Sequence, residues 1–267
     1  MIAILRIGLV AIAFLSLTLA LLPVQLLALG FGHPVMRRLP RWWHRVMCKV
    51  IGLKVKTIGT LAADRPLLVA ANHTSWKDIV VLGSVADVVF VAKSEVRRWP
   101  VFGWLARLQR SVFIEREQKR STGVQVGDMA ARLASGEVVV LFPEGTTSDG
   151  NRVMPFKTSL FGAASQALAL TPQGRVTIQP VTIAYIGIHG MPMGRFHRPV
   201  AAWPGTVALG PHFLRVLREG ALEVEVHFCS PVVFDAASDR KQTARIVERA
   251  IRRTLAAALR GRQPEET

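Results

Sequence analysis

The stretch VAANHTSWKDIVVLG (69–83) runs an apolar segment into Asn72 and His73 and places Asp78 at the head of a second apolar run. Histidine and aspartate at this spacing can make a proton-transfer pair, or simply a core histidine beside a helix-capping carboxylate. On one continuous helix they would stand about 140° apart at ~100° per residue and could not meet. If His73 stays in the turn after a strand at 67–71 and a helix starts near Asp78, the chain folds back and the carboxylate reaches one imidazole nitrogen. The other nitrogen is then an acceptor aimed outward, a base with its tautomer fixed. Ser75 is near in sequence, but the chain contains no GxSxG elbow, so a serine acyl-enzyme has little support. A substrate hydroxyl is the better proton source.

LFPEGTTSDG (141–150) is the second cluster, again directly after an apolar run. Pro143 and Gly145 shape a turn with Glu144 at its tip, and Thr146, Thr147 and Ser148 offer hydroxyls beside backbone N–H groups, an arrangement suited to a polar or anionic head group. No GK[ST] follows, so it is not a P-loop. Acidic, glycine-containing turns are common, and alone this one is a weak signal. His189, His197 and His212 lack metal-ligand spacing and read as loop or surface histidines. Cys48 and Cys229 lie far apart with no CxxC spacing, implying neither a disulfide framework nor a zinc site.

The elements that must position these residues follow from periodicity. Residues 67–71, 87–92, 111–115, 137–142, 175–185 and 221–228 read as strands, most of them continuously apolar as in a parallel sheet buried on both faces. Helix-length segments separate most of them, GVQVGDMAARLAS and KTSLFGAASQALAL most clearly, which predicts an α/β layer with a mainly parallel sheet flanked by helices. Residues 186–213, rich in Gly and Pro, read as a long functional or mobile loop. Helical spacing of Ile246, Val247, Ala250, Ile251, Leu255 and Leu259 closes the chain with an amphipathic helix.

The N-terminus sets the setting. Residues 7–29 carry no charge, and roughly 20 such residues suffice to cross a hydrocarbon core. A cleaved signal peptide is the rival reading, although its apolar region usually runs only about 7–15 residues, and Pro23 leaves room for a re-entrant hairpin. Arg37, Arg38, Arg41, Arg45, Lys49, Lys54 and Lys56 follow the segment and only Arg6 precedes it, which places the bulk of the chain in the cytoplasm. Trp42 and Trp43 within that basic run suit a membrane interface. The 267 residues hold 34 Lys+Arg against 18 Asp+Glu, a formal charge of +16 that calls for an anionic partner. Nucleic acid is disfavoured, because the basic residues are dispersed and no nucleic-acid-binding motif appears.

An NHxxxxD loop, a KSE…P..GW segment from Lys93 to Trp104, an F-I-x-R strand end at 113–116, an FPEGT turn and an IQPVTIAY strand occur in that order. With them the chain resembles the lysophosphatidic acid acyltransferase family of membrane glycerolipid acyltransferases. The resemblance implies that His73 deprotonates an acceptor hydroxyl with Asp78 as its partner, and that the oxygen attacks a fatty acyl thioester with no covalent acyl-enzyme. It implies acceptor binding at Arg116 and at Glu144, Gly145 and Thr146 and a site shaped around Pro180; separately, no metal or cofactor is expected. One departure stands out: Arg110 occupies the place of the family's glycine three residues before Phe113. The second half, from PVTIAYIGIHG to SDRK, is similar to the bacterial branch that acylates lyso-ornithine lipid, with lysophosphatidic acid the alternative acceptor. The donor is then acyl carrier protein or coenzyme A thioester, and the location the bacterial inner membrane with the catalytic domain facing the cytoplasm. A lipid hydrolase and an inactive membrane scaffold are the other classes. The expected organisation is an anchor over 1–32, a basic interfacial segment over 33–60, an acyltransferase domain over 61–260 and a tail over 261–267.

Overall fold

The computed structural model describes residues 2–114 and 122–262. Two helices lead, α1 (Ile2–Gly30) and α2 (Val35–Ile51), followed by strand β1 (Leu53–Ile58). Then come β2 (Leu67–Ala71), α3 (Lys77–Val85), β3 (Val88–Lys93), α4 (Phe102–Leu108), β4 (Val112–Ile114), α5 (Thr122–Ala134) and β5 (Val138–Leu141). The second half supplies α6 (Gly162–Leu168), β6 (Arg175–Ile188), β7 (Met191–Pro192), α7 (Arg198–Ala201), α8 (Leu209–Glu219), β8 (Leu222–Phe228), β9 (Val232–Asp235) and α9 (Arg240–Ala258).

The strands form one sheet in the order β1-β8-β6-β2-β5-β3-β4, with β7 and β9 also paired to β6. From β6 to β4 every pairing is parallel; β8 runs antiparallel to β6, and β1 is parallel to β8. β2 lies between β5 and β6 and is buried along its whole length, which explains its uninterrupted run of Leu, Val and Ala. One apolar core forms between the sheet and α2, α3 and α8, and the other between the sheet and α5, α6 and α9. Parallel strands end together, so the turns after β2 and β5 emerge side by side, and these are the two chemistry-bearing segments.

The strand β1 is absent from the sequence expectation, which assigned these residues to the basic interfacial segment. Its Lys54 and Lys56 face Glu223 and Glu225 on β8 at 3.2 and 3.1 Å, so two of the cations after the apolar helix belong to a cross-strand ladder. In α2, Arg37 reaches Glu137 at 3.6 Å and Arg41 reaches Asp87 at 3.8 Å, while Arg45 donates to the Ser84 carbonyl at 2.9 Å. Trp43 is also claimed internally: its indole N–H donates to Thr18 at 3.1 Å and its ring meets the edge of Phe14 on α1. Trp42 remains exposed.

Helix α1 is long and apolar enough to cross a membrane, and the rest of the chain buries little of it. Two polar side chains tie it down. Arg6 donates to the Leu217 and Ile51 carbonyls at 2.8 and 2.9 Å, close to the C-terminal ends of α8 and α2. Gln25 donates to the Met36 and Leu108 carbonyls at 3.1 and 2.8 Å.

Candidate active site

His73 lies in the turn between β2 and α3, and Asn72 fixes where that turn begins. The buried Asn72 amide donates to the Ile183 carbonyl at 3.0 Å and accepts from the Ile183 N–H at 2.8 Å, bolting the end of β2 to the neighbouring β6. Beyond it the chain doubles back, and Asp78 in the first turn of α3 receives His73 Nδ1 on Oδ2 at 2.8 Å. The same oxygen accepts the Thr74 and Ser75 N–H groups at 2.6 and 2.8 Å, and the Tyr185 hydroxyl donates to Oδ1 at 2.8 Å. Asp78 is fully buried. Three donors already point at this carboxylate, so it acts as an acceptor towards the ring. Nδ1 therefore carries the proton and Nε2 is the basic nitrogen. The imidazole stacks on Phe142 at 4.1 Å between centroids, and its side chain keeps 19% exposure, enough to meet a substrate.

The turn after β5 is locked to the same loop. Glu144 is buried, its Oε1 accepting the His73 N–H at 2.6 Å and its Oε2 the Met154 N–H at 2.7 Å. Ser148 N–H adds a bond to the His73 carbonyl at 2.8 Å. Burial pushes the Glu144 carboxyl up to about 7, with the two N–H donors pulling the other way. Both of its oxygens are engaged by backbone, so Glu144 fixes the turn rather than offering an open carboxylate. Gly145 sits at φ 75°, and a Cβ there would come within 2.8 Å of the Lys157 ammonium, so the Lys157 side chain lies over this glycine. Thr146 is exposed at the tip.

Three residues that the sequence patterns do not single out belong to this assembly. Tyr185, near the end of β6, holds the second oxygen of Asp78, and burial beside that carboxylate raises its phenol well above the usual value. Lys77 is fully buried, donating to Ser75 Oγ at 3.0 Å and the Ala201 carbonyl at 2.8 Å; burial lowers its ammonium to about 7, with Asp78 opposing. Lys157 is the third. Tyr185 being the chain's single tyrosine, near the end of β6, was the one signal available. Ser75 is fully buried, with its hydroxyl occupied by Lys77, which removes it as a nucleophile.

Residues 186–213 are mostly ordered by contacts with the site. Arg198 donates to the Tyr185 and Met193 carbonyls at 3.1 and 3.0 Å, Trp203 N–H to the Thr74 carbonyl at 2.8 Å, and Trp76 Nε1 to His212 Nδ1 at 3.2 Å. The expected long loop thus contains β7, α7 and the start of α8, and it walls the His73 turn. His189 and His197 are exposed while His212 is buried against Trp76. Among the described residues, no group of three His, Cys, Asp or Glu side chains is placed to hold a metal. Arg116 lies outside the described residues. Arg110 adopts φ 63°, a conformation natural for the glycine expected there, and its guanidinium pairs with the buried Glu137.

An acyltransferase family model matches residues 52–184, which contain both turns. A lyso-ornithine lipid O-acyltransferase of Rhizobium meliloti is 59% identical over 96% of this chain and 88% of its own length. One of Brucella abortus is 51% identical over the full length of both. Among solved structures, the 1-acyl-sn-glycerophosphate (LPA) acyltransferase of Thermotoga maritima superposes with a TM-score of 0.53 over 92% of this chain and 96% of its own, at 22% identity, a likeness of fold. The chain is an acyltransferase of the lysophosphatidic acid acyltransferase family, in the branch of the lyso-ornithine lipid O-acyltransferases.

Proposed function

We propose that this acyltransferase, membrane-bound through α1, moves a fatty acyl group from an acyl thioester to the free hydroxyl of lyso-ornithine lipid, with His73 as the base. The observation that carries the chemistry is the 2.8 Å bond from His73 Nδ1 to a buried, fully bonded Asp78, which leaves Nε2 as the proton acceptor. As the acceptor oxygen attacks the thioester carbonyl, its proton passes to Nε2 and the imidazolium is stabilised by Asp78. The C–S bond then breaks, and the leaving thiolate takes the proton back. No acyl-enzyme forms, in keeping with the buried Ser75. The acceptor rests on the names of the two relatives, one of them 59% identical. Gly145 and Thr146, on the turn that Glu144 fixes, and Arg116 hold its head group. The donor is an acyl carrier protein or coenzyme A thioester, and the domain faces the cytoplasm at a bacterial inner membrane.

Purified full-length protein with labelled acyl thioester, alone or with either lysolipid, tests this reading. Label should appear in ornithine lipid. Label only in phosphatidic acid would reassign the acceptor, acceptor-independent release of free acid would make the protein a hydrolase, and no turnover at all would leave a membrane scaffold.

A further inference from the structure

Between β3 and β4 the backbone is strained in order to expose apolar side chains. Val101 stands at φ 62° and ψ −58°, and the Phe102 N–H donates to the Pro100 carbonyl at 2.6 Å. Those angles with that bond define the γ-turn of positive φ, a rare and strained form, here at a β-branched residue. The turn is held in place from behind: a Cβ at Gly103 would come within 2.5 Å of the Arg97 carbonyl oxygen and 2.7 Å of that of Val96, so α4 packs this closely only with glycine there. The result faces solvent. Val101 is 53% exposed, beside Trp99 at 36%, Phe102 at 36% and Trp104 at 41%. Arg97, Arg98 and Arg107, all exposed, surround them. Strain that delivers four large apolar side chains to the surface needs a reason outside the packing of this chain.

The patch joins two surfaces. At one end, Leu108 of α4 takes a hydrogen bond from Gln25 of α1, and Leu105 and Leu108 share a crevice of about 70 Å³ with Leu21 and Leu22. At the other, Phe102 meets the edge of Phe213, whose ring packs on Trp76, and Trp99 meets Trp203, whose N–H bonds Thr74 beside His73. An apolar surface thus runs from α1 to the catalytic turn.

We propose that the Trp99–Trp104 turn is a second membrane contact, seated in the interfacial layer of an anionic leaflet beside α1, which aims the mouth of the His73 site at lysolipid in that leaflet. Indole rings favour the head-group level, the valine and phenylalanine reach the acyl boundary, and the three arginines meet lipid phosphates. An acidic carrier protein would use the arginines but give no reason for the strained, exposed valine. The inference goes beyond the proposed reaction and relies on it only for what happens at the patch's inner end.

Full-length protein carrying Val101→Cys with an environment-sensitive fluorophore, read against the labelled parent to subtract Cys229, is mixed with vesicles of phosphatidylglycerol and phosphatidylcholine. The label should shift to the blue and be quenched by acyl-chain spin labels; a probe that stays in water on bound protein overturns the proposal. Separately, Val101→Asp should lower transfer to lysolipid in vesicles at least tenfold, and leave transfer to a short-chain, monomeric lysolipid within twofold. Equal loss in both assays would assign the turn to the chemistry or the fold. A raised Michaelis constant for acyl carrier protein, with vesicle transfer from acyl-CoA unchanged, would make it a carrier dock; either result sinks the membrane assignment. The fluorophore reads insertion without turnover, so failure of the proposed reaction would be told apart from failure of this contact.

Discussion

Asp78 accepts from His73, Thr74, Ser75 and Tyr185, and each donor has a different consequence when lost. His73→Ala removes the proposed base, so transfer should fall by on the order of 10³-fold or more, with any membrane association of the parent retained. Asp78→Asn leaves shape but turns an N–H₂ towards donors and frees the wrong tautomer, and should cost on the order of 10²–10⁴ in turnover. Near-parental turnover by either variant rejects the base assignment. Tyr185→Phe leaves one buried carboxylate oxygen without its donor, a loss of about 1–3 kcal/mol. It should lower turnover less than Asp78→Asn does and leave the acceptor Michaelis constant in place. Glu144 gives a pH signature. Its carboxyl is raised from the ordinary 4.5 to about 7 in the folded chain, so between those values the folded state holds more protons than the unfolded one. Stability from this group is therefore full below about 4.5 and is lost as pH rises through about 7. Glu144→Gln cannot titrate there, so the melting-temperature advantage of the parent over the variant should shrink from pH 5 to pH 8. A constant gap would mean that Glu144 does not titrate in that window.

At the scale of elements, Arg6 shows how a residue read as flanking charge becomes a structural tie. It bonds carbonyls close to the ends of α2 and α8, and its guanidinium fills the space where a side chain at Gly220 would lie. Arg6→Gln keeps a donor but cannot reach both carbonyls, so the α1–α8 contact should loosen. Native-state proteolysis near residue 30 should quicken several-fold, while the α/β domain stays folded; unchanged cleavage would show that α1 is held by apolar contact alone. The same logic explains what was legible in the sequence. β2 matches its expected bounds because both of its faces are buried and every residue is apolar. β1 was hidden because its outward residues are lysines, and their partners on β8 lie more than 160 positions along the chain. The start of α8 reads as loop in the sequence because Gly210 and Pro211 stand in its first turn, yet proline is at home there. The His73–Asp78 pairing was readable from spacing alone, whereas Tyr185 and Lys77 act through contacts that no local pattern encodes.

Over the whole molecule, several of the cations that follow the apolar helix serve the fold itself. Arg37, Arg41, Lys54 and Lys56 are partnered within the chain. Arg38 and Lys49 of α2 and the arginines around Trp99 are exposed. Helix α1 bonds the same domain through Arg6 near its start and Gln25 near its end, sites roughly 28 Å apart at 1.5 Å per residue. A helix held at both ends lies along the domain, the arrangement that an interfacial helix would use. A straight span would carry Arg6 across the hydrocarbon core and break its bonds to Leu217 and Ile51. Epitopes fused before Met1 and after Thr267 should therefore both be cleaved by protease added to inside-out membrane vesicles, and both be protected in right-side-out vesicles. Cleavage of the N-terminal epitope in right-side-out vesicles only would show that α1 crosses the bilayer and that its docking on α8 is not the membrane-bound arrangement.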